Sequence, residues 1–200
     1  VPLSRYHSGF TLFEEGERPA GVHLICGGRI KQWCCDDKDH RFIWRYAETG
    51  ELLGAVTLIA GKPYPTTAET CESTLIRFIP RDVFFQLLAE HPRIEHHLLR
   101  QLGVRLYKSL EILREFVFSR SALQRLALLL FRSWAEKQGP TGHGEPMRIY
   151  MSREEMAERI GVGAPETASR LLARLVKLGL IGRDRGVTII LKPDQLKLVE

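Results

Sequence analysis

The spacing of apolar and polar residues changes character twice along the chain. Between residues 9 and 79 the apolar positions fall in short runs separated by glycine, proline or charged clusters. Phe10 to Phe13, Val22 to Cys26, Arg29 to Cys35, Phe42 to Tyr46, Thr66 to Cys71 and Leu75 to Ile79 read as strands. Glu14 to Gly21 supplies a turn, Gly27-Gly28 a break, and Asp36-Asp-Lys-Asp-His40 a polar hairpin tip. Many short strands at this spacing predict a β-sandwich or jelly roll.

From Pro80 onward the period becomes helical. Arg81 to Glu90 predicts a short helix that ends before Pro92. Arg93 to about Arg120 has no proline and a single glycine, Gly103. Within it Leu99, Leu102, Leu106, Leu110, Leu113 and Val117 recur at intervals of three and four, a coiled-coil-like seam. A helix packed on its own domain would also show apolar spacing. Dimerisation is favoured, because the C-terminal part of the chain carries a motif of a kind that usually works as a symmetric pair. Leu123 to Glu136 predicts a second strongly apolar helix, Lys137 to Pro146 a loop, and Met147 to Met151 a short strand.

The stretch from Ser152 to Leu191 is the most informative. Ser152 with Glu155 three residues on forms a capping box, in which the hydroxyl accepts a free backbone N–H and the carboxylate reaches back. Met156 and Ile160 share one face of a short helix, and Gly161 can stop it by adopting positive φ. Pro165 suits the first turn of a second helix, whose apolar side is Leu171, Leu172, Leu175 and Leu178. Glu166, Thr167, Ser169, Arg170, Arg174 and Lys177 supply the polar side. Two short helices joined by a tight glycine turn make a helix-turn-helix, whose second helix can enter a DNA major groove. Leu180 to Leu191, with a turn at Asp184 to Gly186, predicts a hairpin directly after it, in the position of a wing.

Charge supports this division. The 200-residue chain carries a net charge of +5. Residues 1–118 hold 15 basic and 15 acidic side chains, and residues 119–200 hold 14 against 9. The whole excess therefore lies beside the helix-turn-helix, where a polyanion partner would need it. Cys26, Cys34, Cys35 and Cys71 contain no C-x-x-C pair, and adjacent Cys34 and Cys35 could bridge only under strain, so reduced thiols are expected. The histidines form no ligand cluster on the strands, which disfavours a metal-dependent jelly-roll enzyme. No convergent acid/base or metal group suggests an enzyme of any other kind. Neither a signal peptide nor a membrane span is evident, so a cytoplasmic location is expected. The chain starts at Val1 rather than at a methionine, so residues ahead of it are also expected.

The order of parts resembles the CRP/FNR family of bacterial transcription regulators. The resemblance rests on Gly9-x-x-Leu12-Phe13-x-x-Gly16-Glu17, Val22-His-Leu-Ile-Cys-Gly-Gly-Arg29, Gly50-Glu51 with Leu53-Gly54, and Pro63 to Ala68. It continues at Glu166-Thr-Ala-Ser-Arg170 with Leu171-Leu172, and at Gly179-Leu-Ile181. It implies an α+β protein: a cyclic-nucleotide-binding-like β-roll (jelly roll) over 1–90, a long dimerisation helix over 91–118, and a winged helix-turn-helix over 119–200. The interface of the homodimer would be Leu99, Leu102, Leu106, Leu110 and Leu113.

In cyclic-nucleotide-binding members of the family a Gly-Glu pair holds the ribose, and an arginine in a later Arg-Ser/Thr-Ala segment pairs with the cyclic phosphate. Gly50 and Glu51 match the first, but the later segment reads Pro65-Thr66-Thr67-Ala68, with Thr66 in the arginine's place. A phosphate buried without its guanidinium lacks a charge-assisted bidentate contact, so cyclic AMP is not expected to bind. Gly50, Glu51, Thr66 and Thr67 remain the effector-pocket candidates, with no cofactor assigned. The cysteine spacing does not reproduce the iron–sulfur pattern of the FNR branch, and no histidine stands out as a haem ligand.

The resemblance further implies double-stranded DNA and RNA polymerase as partners and half-sites with a TTGA-like or TGA core. Arg170 would donate to guanine, Glu166 would accept from cytosine N4, and Ser169 would contact a base or its neighbour. Thr167 and Lys177 belong to the same surface, and Arg174 and Arg185 would position phosphates. The competing structural reading is that Glu166 and Arg170, four apart, merely form an ion pair along the helix. A cyclic-nucleotide-responsive regulator and a redox or haem sensor of the same architecture are the functional alternatives.

Overall fold

The structure is a computed structural model and describes residues 1–118, 121–137 and 147–199. The predicted loop around residues 138–146 and the side chain of Val117 lie outside the described residues. The chain divides into two compact units, Val1–Cys35 with Ile43–Leu110, and Asp36–Phe42 with Glu111–Glu200.

The first unit contains eight strands: β1 (Leu3–Tyr6), β2 (Thr11–Phe13), β3 (Gly21–Gly27), β4 (Arg29–Cys35), β5 (Arg41–Glu48), β6 (Leu52–Leu53), β7 (Thr67–Thr70) and β8 (Thr74–Pro80). They form two four-stranded sheets, ordered β1-β8-β3-β6 and β2-β7-β4-β5. Phe13, Ile25, Ile30, Ala47, Leu53, Tyr64, Ala68 and Ile76 form a buried core drawn from both sheets. The strand alternation of period two puts Val22 on the opposite face of β3 from this core. There it joins Ala55, Leu58, Phe84 and Leu98, which come from three helices: α1 (Ala55–Ala60), α2 (Arg81–Glu90) and α3 (Pro92–Phe118). Burial on both faces explains why β3 reads as an almost unbroken apolar run rather than as an alternating one.

Three elements of this unit have no counterpart in the sequence reading: β1, α1 and the two-residue β6, which is too short to show alternation. Strand β1 is an exposed edge strand whose residues show no apolar alternation. Helix α1 has only six residues, held between the left-handed glycines Gly54 and Gly61, and is too short to display a helical period.

The second unit is built on α4 (Ala122–Lys137), α5 (Arg153–Ile160), α6 (Pro165–Lys177) and the short α7 (Pro193–Leu196). A three-stranded antiparallel sheet of β9 (Met147–Ile149), β10 (Ile181–Asp184) and β11 (Val187–Ile190), ordered β10-β11-β9, closes it. Its core joins Leu123, Leu126 and Leu130 of α4, Met156 and Ile160 of α5, and Leu172 and Leu175 of α6. Leu178 differs from the sequence expectation: α6 ends at Lys177, and Leu178 caps it with its side chain exposed. Ala168, Leu180 and Ile181 are the buried residues that complete this face.

Candidate nucleic-acid interface

The two helices of the motif are fixed by local chemistry. Ser152 caps α5, its Oγ accepting from the amide of Glu155 at 3.0 Å. Glu154 also meets the cap: its own backbone N–H and the Ser152 hydroxyl hold its carboxyl below the usual range. At the other end Gly161 takes φ 66°, which a side chain would resist, and lets the amide of Val162 reach the carbonyl of Ala157 at 3.0 Å. Three residues later Pro165 starts α6.

Burial of Ala168, Leu172 and Leu175 on one side of α6 dictates what lies on the other. Glu166, Arg170, Arg174 and Lys177 are all exposed, and Thr167 and Ser169 are half-buried. Arg170 does not pair with Glu166. Its Nη2 donates to the Thr167 hydroxyl at 3.1 Å. The Ser169 hydroxyl donates to the Pro165 carbonyl at 3.1 Å, so its proton is engaged within the helix. Among the described residues no carboxylate forms an ion pair with Arg170, Arg174 or Lys177. The exposed face of α6 therefore presents three cations and one carboxylate, all available to a ligand.

The hairpin after α6 turns through Arg185 at φ 47° and Gly186 at φ 89°. Positive φ at both central residues suits a two-residue hairpin, but an arginine there is strained by roughly 1–2 kcal/mol. Arg148 neutralises Asp184 at 3.3 Å, while Arg183 and Arg185 are exposed at the tip.

The effector-pocket candidates lie in the first unit, where Glu51 is already engaged. Its Oε2 accepts from Arg45 Nη1 at 2.7 Å, and its Oε1 accepts from the amide of Glu48 at 3.1 Å. Arg105 Nη2 of α3 is 3.2 Å from the same Oε2, an ion-pair distance without hydrogen-bond alignment. Arg105 Nη1 donates to the Leu52 carbonyl at 2.7 Å, and Gln101 Nε2 to the Gly50 carbonyl at 3.3 Å. Thr66 is buried and accepts from Gln32 Nε2 at 3.2 Å; Thr67 is buried and accepts from the amide of Glu15 at 3.1 Å. Arg45, Gln32 and Arg105 escape the sequence reading. For Arg105 a signal exists: His97, Gln101 and Arg105 form a polar line, four apart, beside the apolar Leu98 and Leu102.

Helix α3 carries two faces. Leu98 is buried and Leu102 packs in part against the same cluster. Leu99, Leu106, Leu110 and Leu113 point elsewhere, with 61%, 63%, 54% and 53% of their surfaces exposed. Gly103, between Leu99 and Leu106 in the chain, has open space around it. Among the described residues no three His, Cys, Asp or Glu side chains gather as a metal site. Cys26, Cys34, Cys35 and Cys71 form no disulfide with one another, and burial pushes the Cys34 and Cys71 thiols up.

Residues 3–91 match the cyclic nucleotide-binding domain family, and residues 124–199 match the Crp-like helix-turn-helix domain family. The chain belongs to the CRP/FNR family of transcription regulators. The regulatory protein HlyX of Actinobacillus pleuropneumoniae is 25% identical over 185 residues, 92% of this chain and 76% of that protein. The transcriptional activator protein Anr of Pseudomonas protegens is 24% identical over 188 residues, 94% of this chain and 76% of that protein. The fold is shared with the c-di-GMP responsive global regulator CLP of Xanthomonas campestris, at a TM-score of 0.79 and 22% identity over 95% of this chain and 93% of that one. FixK2 of Bradyrhizobium japonicum gives a TM-score of 0.73 at 20% identity, covering 100% of this chain and 96% of that one. This CRP/FNR regulator thus carries its Crp-like helix-turn-helix domain, which includes α6, in the second unit.

Proposed function

We propose that this CRP/FNR regulator acts in the cytoplasm as a homodimer that reads a palindrome of TGA-like half-sites through α6 and needs no cyclic AMP. The observation that carries the DNA reading is the exposed Arg170, held by Thr167 and not neutralised by Glu166. A guanidinium in that state has donors left for the O6 and N7 of a guanine. Glu166 accepts from a cytosine N4, and Ser169 retains acceptor capacity for a neighbouring group. Arg174, Lys177 and Arg185 meet phosphates, which would account for a strained arginine at the wing tip.

The exposed leucines of α3 support the dimer. Four large apolar side chains in heptad-like spacing along one helix are a seam awaiting a partner. A second copy places a second α6 against the inverted half-site about one helical turn away. Independence from cyclic AMP is supported by Thr66, whose hydroxyl already serves Gln32, and by Glu51, whose carboxylate already serves two arginines. No effector is assigned. RNA polymerase is the expected further partner when the bound dimer acts on transcription.

The test is anisotropy with duplexes bearing two inverted TTGA half-sites, one half-site, or a scrambled sequence, at about 0.15 M salt. A preference of about 10³-fold for the paired site over the scrambled one is expected. Equal binding to all three would contradict the proposal.

A further inference from the structure

We propose that Thr167 is a positioning residue for base recognition: its hydroxyl aims the Arg170 guanidinium and keeps it from Glu166. This rests on the reading of α6 as the base-reading helix. Thr167 is the third residue of α6, half-buried, with its amide donating to the Ala164 carbonyl at 3.0 Å. Its backbone is therefore fixed, and its β-branched side chain has few helical rotamers to choose from. The hydroxyl is a nearly rigid acceptor beside an otherwise flexible arginine.

Arg170 has two possible partners within a turn. Glu166 lies four residues back and Thr167 three, and both spacings bring side chains together on a helix surface. An ion pair with Glu166 would direct the guanidinium along the helix and engage the carboxylate as well. The bond observed is the one to Thr167, at 3.1 Å. It uses one N–H of Nη2 and leaves the second N–H of Nη2, both of Nη1 and that of Nε for a base. It also leaves Glu166 an open acceptor. Ser169 does not compete, because its hydroxyl proton goes to the Pro165 carbonyl. Thr167 thus keeps two base-reading side chains apart without itself touching a base.

Removal of the hydroxyl frees Arg170 to swing to Glu166. Thr167→Val, close in size to threonine, should lower affinity for a duplex with inverted TTGA half-sites by about 3–10-fold, the worth of one such hydrogen bond. The loss should fall at the same base pair whose discrimination Arg170→Ala relaxes. Thr167→Ser should restore both affinity and discrimination, and Thr167→Val should have no further effect in the Arg170→Ala background. Adding Glu166→Ala to Thr167→Val should recover part of the affinity, because the competing partner is gone. Unchanged thermal unfolding checks that the variants fold, and Thr167→Ala serves if the valine does not pack.

The proposal is overturned if Thr167→Val weakens every sequence equally, or if its effect persists in Arg170→Ala; Thr167 then contacts the DNA itself. If Arg170→Ala leaves discrimination unaltered at every position, the base-reading assignment of α6 falls and this inference with it. That outcome is distinguishable because it appears in the single Arg170 variant.

Discussion

Arg45 Nη1 lies 2.7 Å from Glu51 Oε2, so the carboxylate at the ribose-binding position of cyclic-nucleotide-binding relatives is held by a side chain of its own domain. Arg105 approaches the same oxygen at 3.2 Å, and burial together with the nearby Arg45 lowers the Arg105 pKa from its ordinary value. A ribose would have to displace these contacts, and its phosphate would meet Thr66 instead of an arginine. Calorimetry with cyclic AMP at micromolar concentration is expected to show no binding. Measurable heat with saturation would show the assignment wrong. Recovered affinity in Thr66→Arg would locate the phosphate position at that residue.

The α3 seam leads to a second expectation. Leu106 and Leu110 are both more than half exposed in the single chain, at 63% and 54%. Charged residues on both sides of a dimer seam would be desolvated and would repel one another across the two-fold axis. Leu106→Glu with Leu110→Glu should sediment as a monomer and lose the advantage of a paired half-site over a single one. A double variant that stays dimeric at unchanged affinity places the interface elsewhere. Leu102→Ala should behave differently from these, because Leu102 packs in part on its own domain. It should lower stability more than association.

Acid should weaken the protein through His23. Burial lowers its pKa from 6.5 to about 4, and its buried Nδ1 has no hydrogen-bond partner among the described residues. Its ring sits between Phe13 at 5.7 Å and Phe78 at 5.0 Å. The unfolded chain takes up the proton near pH 6.5, whereas the folded chain resists it until about pH 4. The contribution to stability is therefore full above pH 6.5 and is lost as pH falls from there to 4, by about 2–3 kcal/mol. Urea unfolding at pH 7 and pH 4.5 checks this. His23→Phe should lose less stability than the wild type over that interval, and an identical loss in both would count against the role of His23.

The DNA-binding domain supplies a paired stability test. Leu172 is 1% exposed and Leu178 is 53% exposed, although both are leucines on the side of α6 that the sequence marks as apolar. Leu172→Ala should cost about 2–5 kcal/mol, and Leu178→Ala within about 0.5 kcal/mol. Chemical denaturation of each variant decides it. Comparable losses would mean that Leu178 is covered, for instance by a partner.

That pair also shows what the sequence can and cannot disclose. Periodicity and caps are local signals. Ser152, Gly161 and Pro165 therefore place the helix-turn-helix, and the runs around Ile25, Ile30 and Ile43 place the strands. Leu178 continues the period but falls after the helix has ended, and the period alone does not mark that end. Leu102 and Gly103 show the same limit. Both fit a three–four spacing from Leu99, and only its packing against the buried cluster that contains Leu98 and Phe84 reveals that Leu102 turns inward. Strand β1 carries no buried residue to create a pattern. The engagement of Glu51 joins residues six and fifty-four positions apart, and no local pattern encodes it. Thr167 is legible as part of the polar face, but its bond to Arg170 is not, because a helix offers Arg170 two neighbours and spacing does not choose between them.

Helix α6 as the reader of bases, with the wing holding phosphates, is tested most directly by one measurement. Affinities of Arg170→Ala and Arg185→Ala are compared with wild type over a panel of half-site variants at several salt concentrations. Arg170→Ala should cost about 1–3 kcal/mol on the specific site and relax discrimination at one base pair. Arg185→Ala should weaken all sequences alike and reduce the slope of log affinity against log salt by about 1. If Arg170→Ala loses affinity equally for every sequence, Arg170 is a backbone contact and the base-reading role of α6 is contradicted.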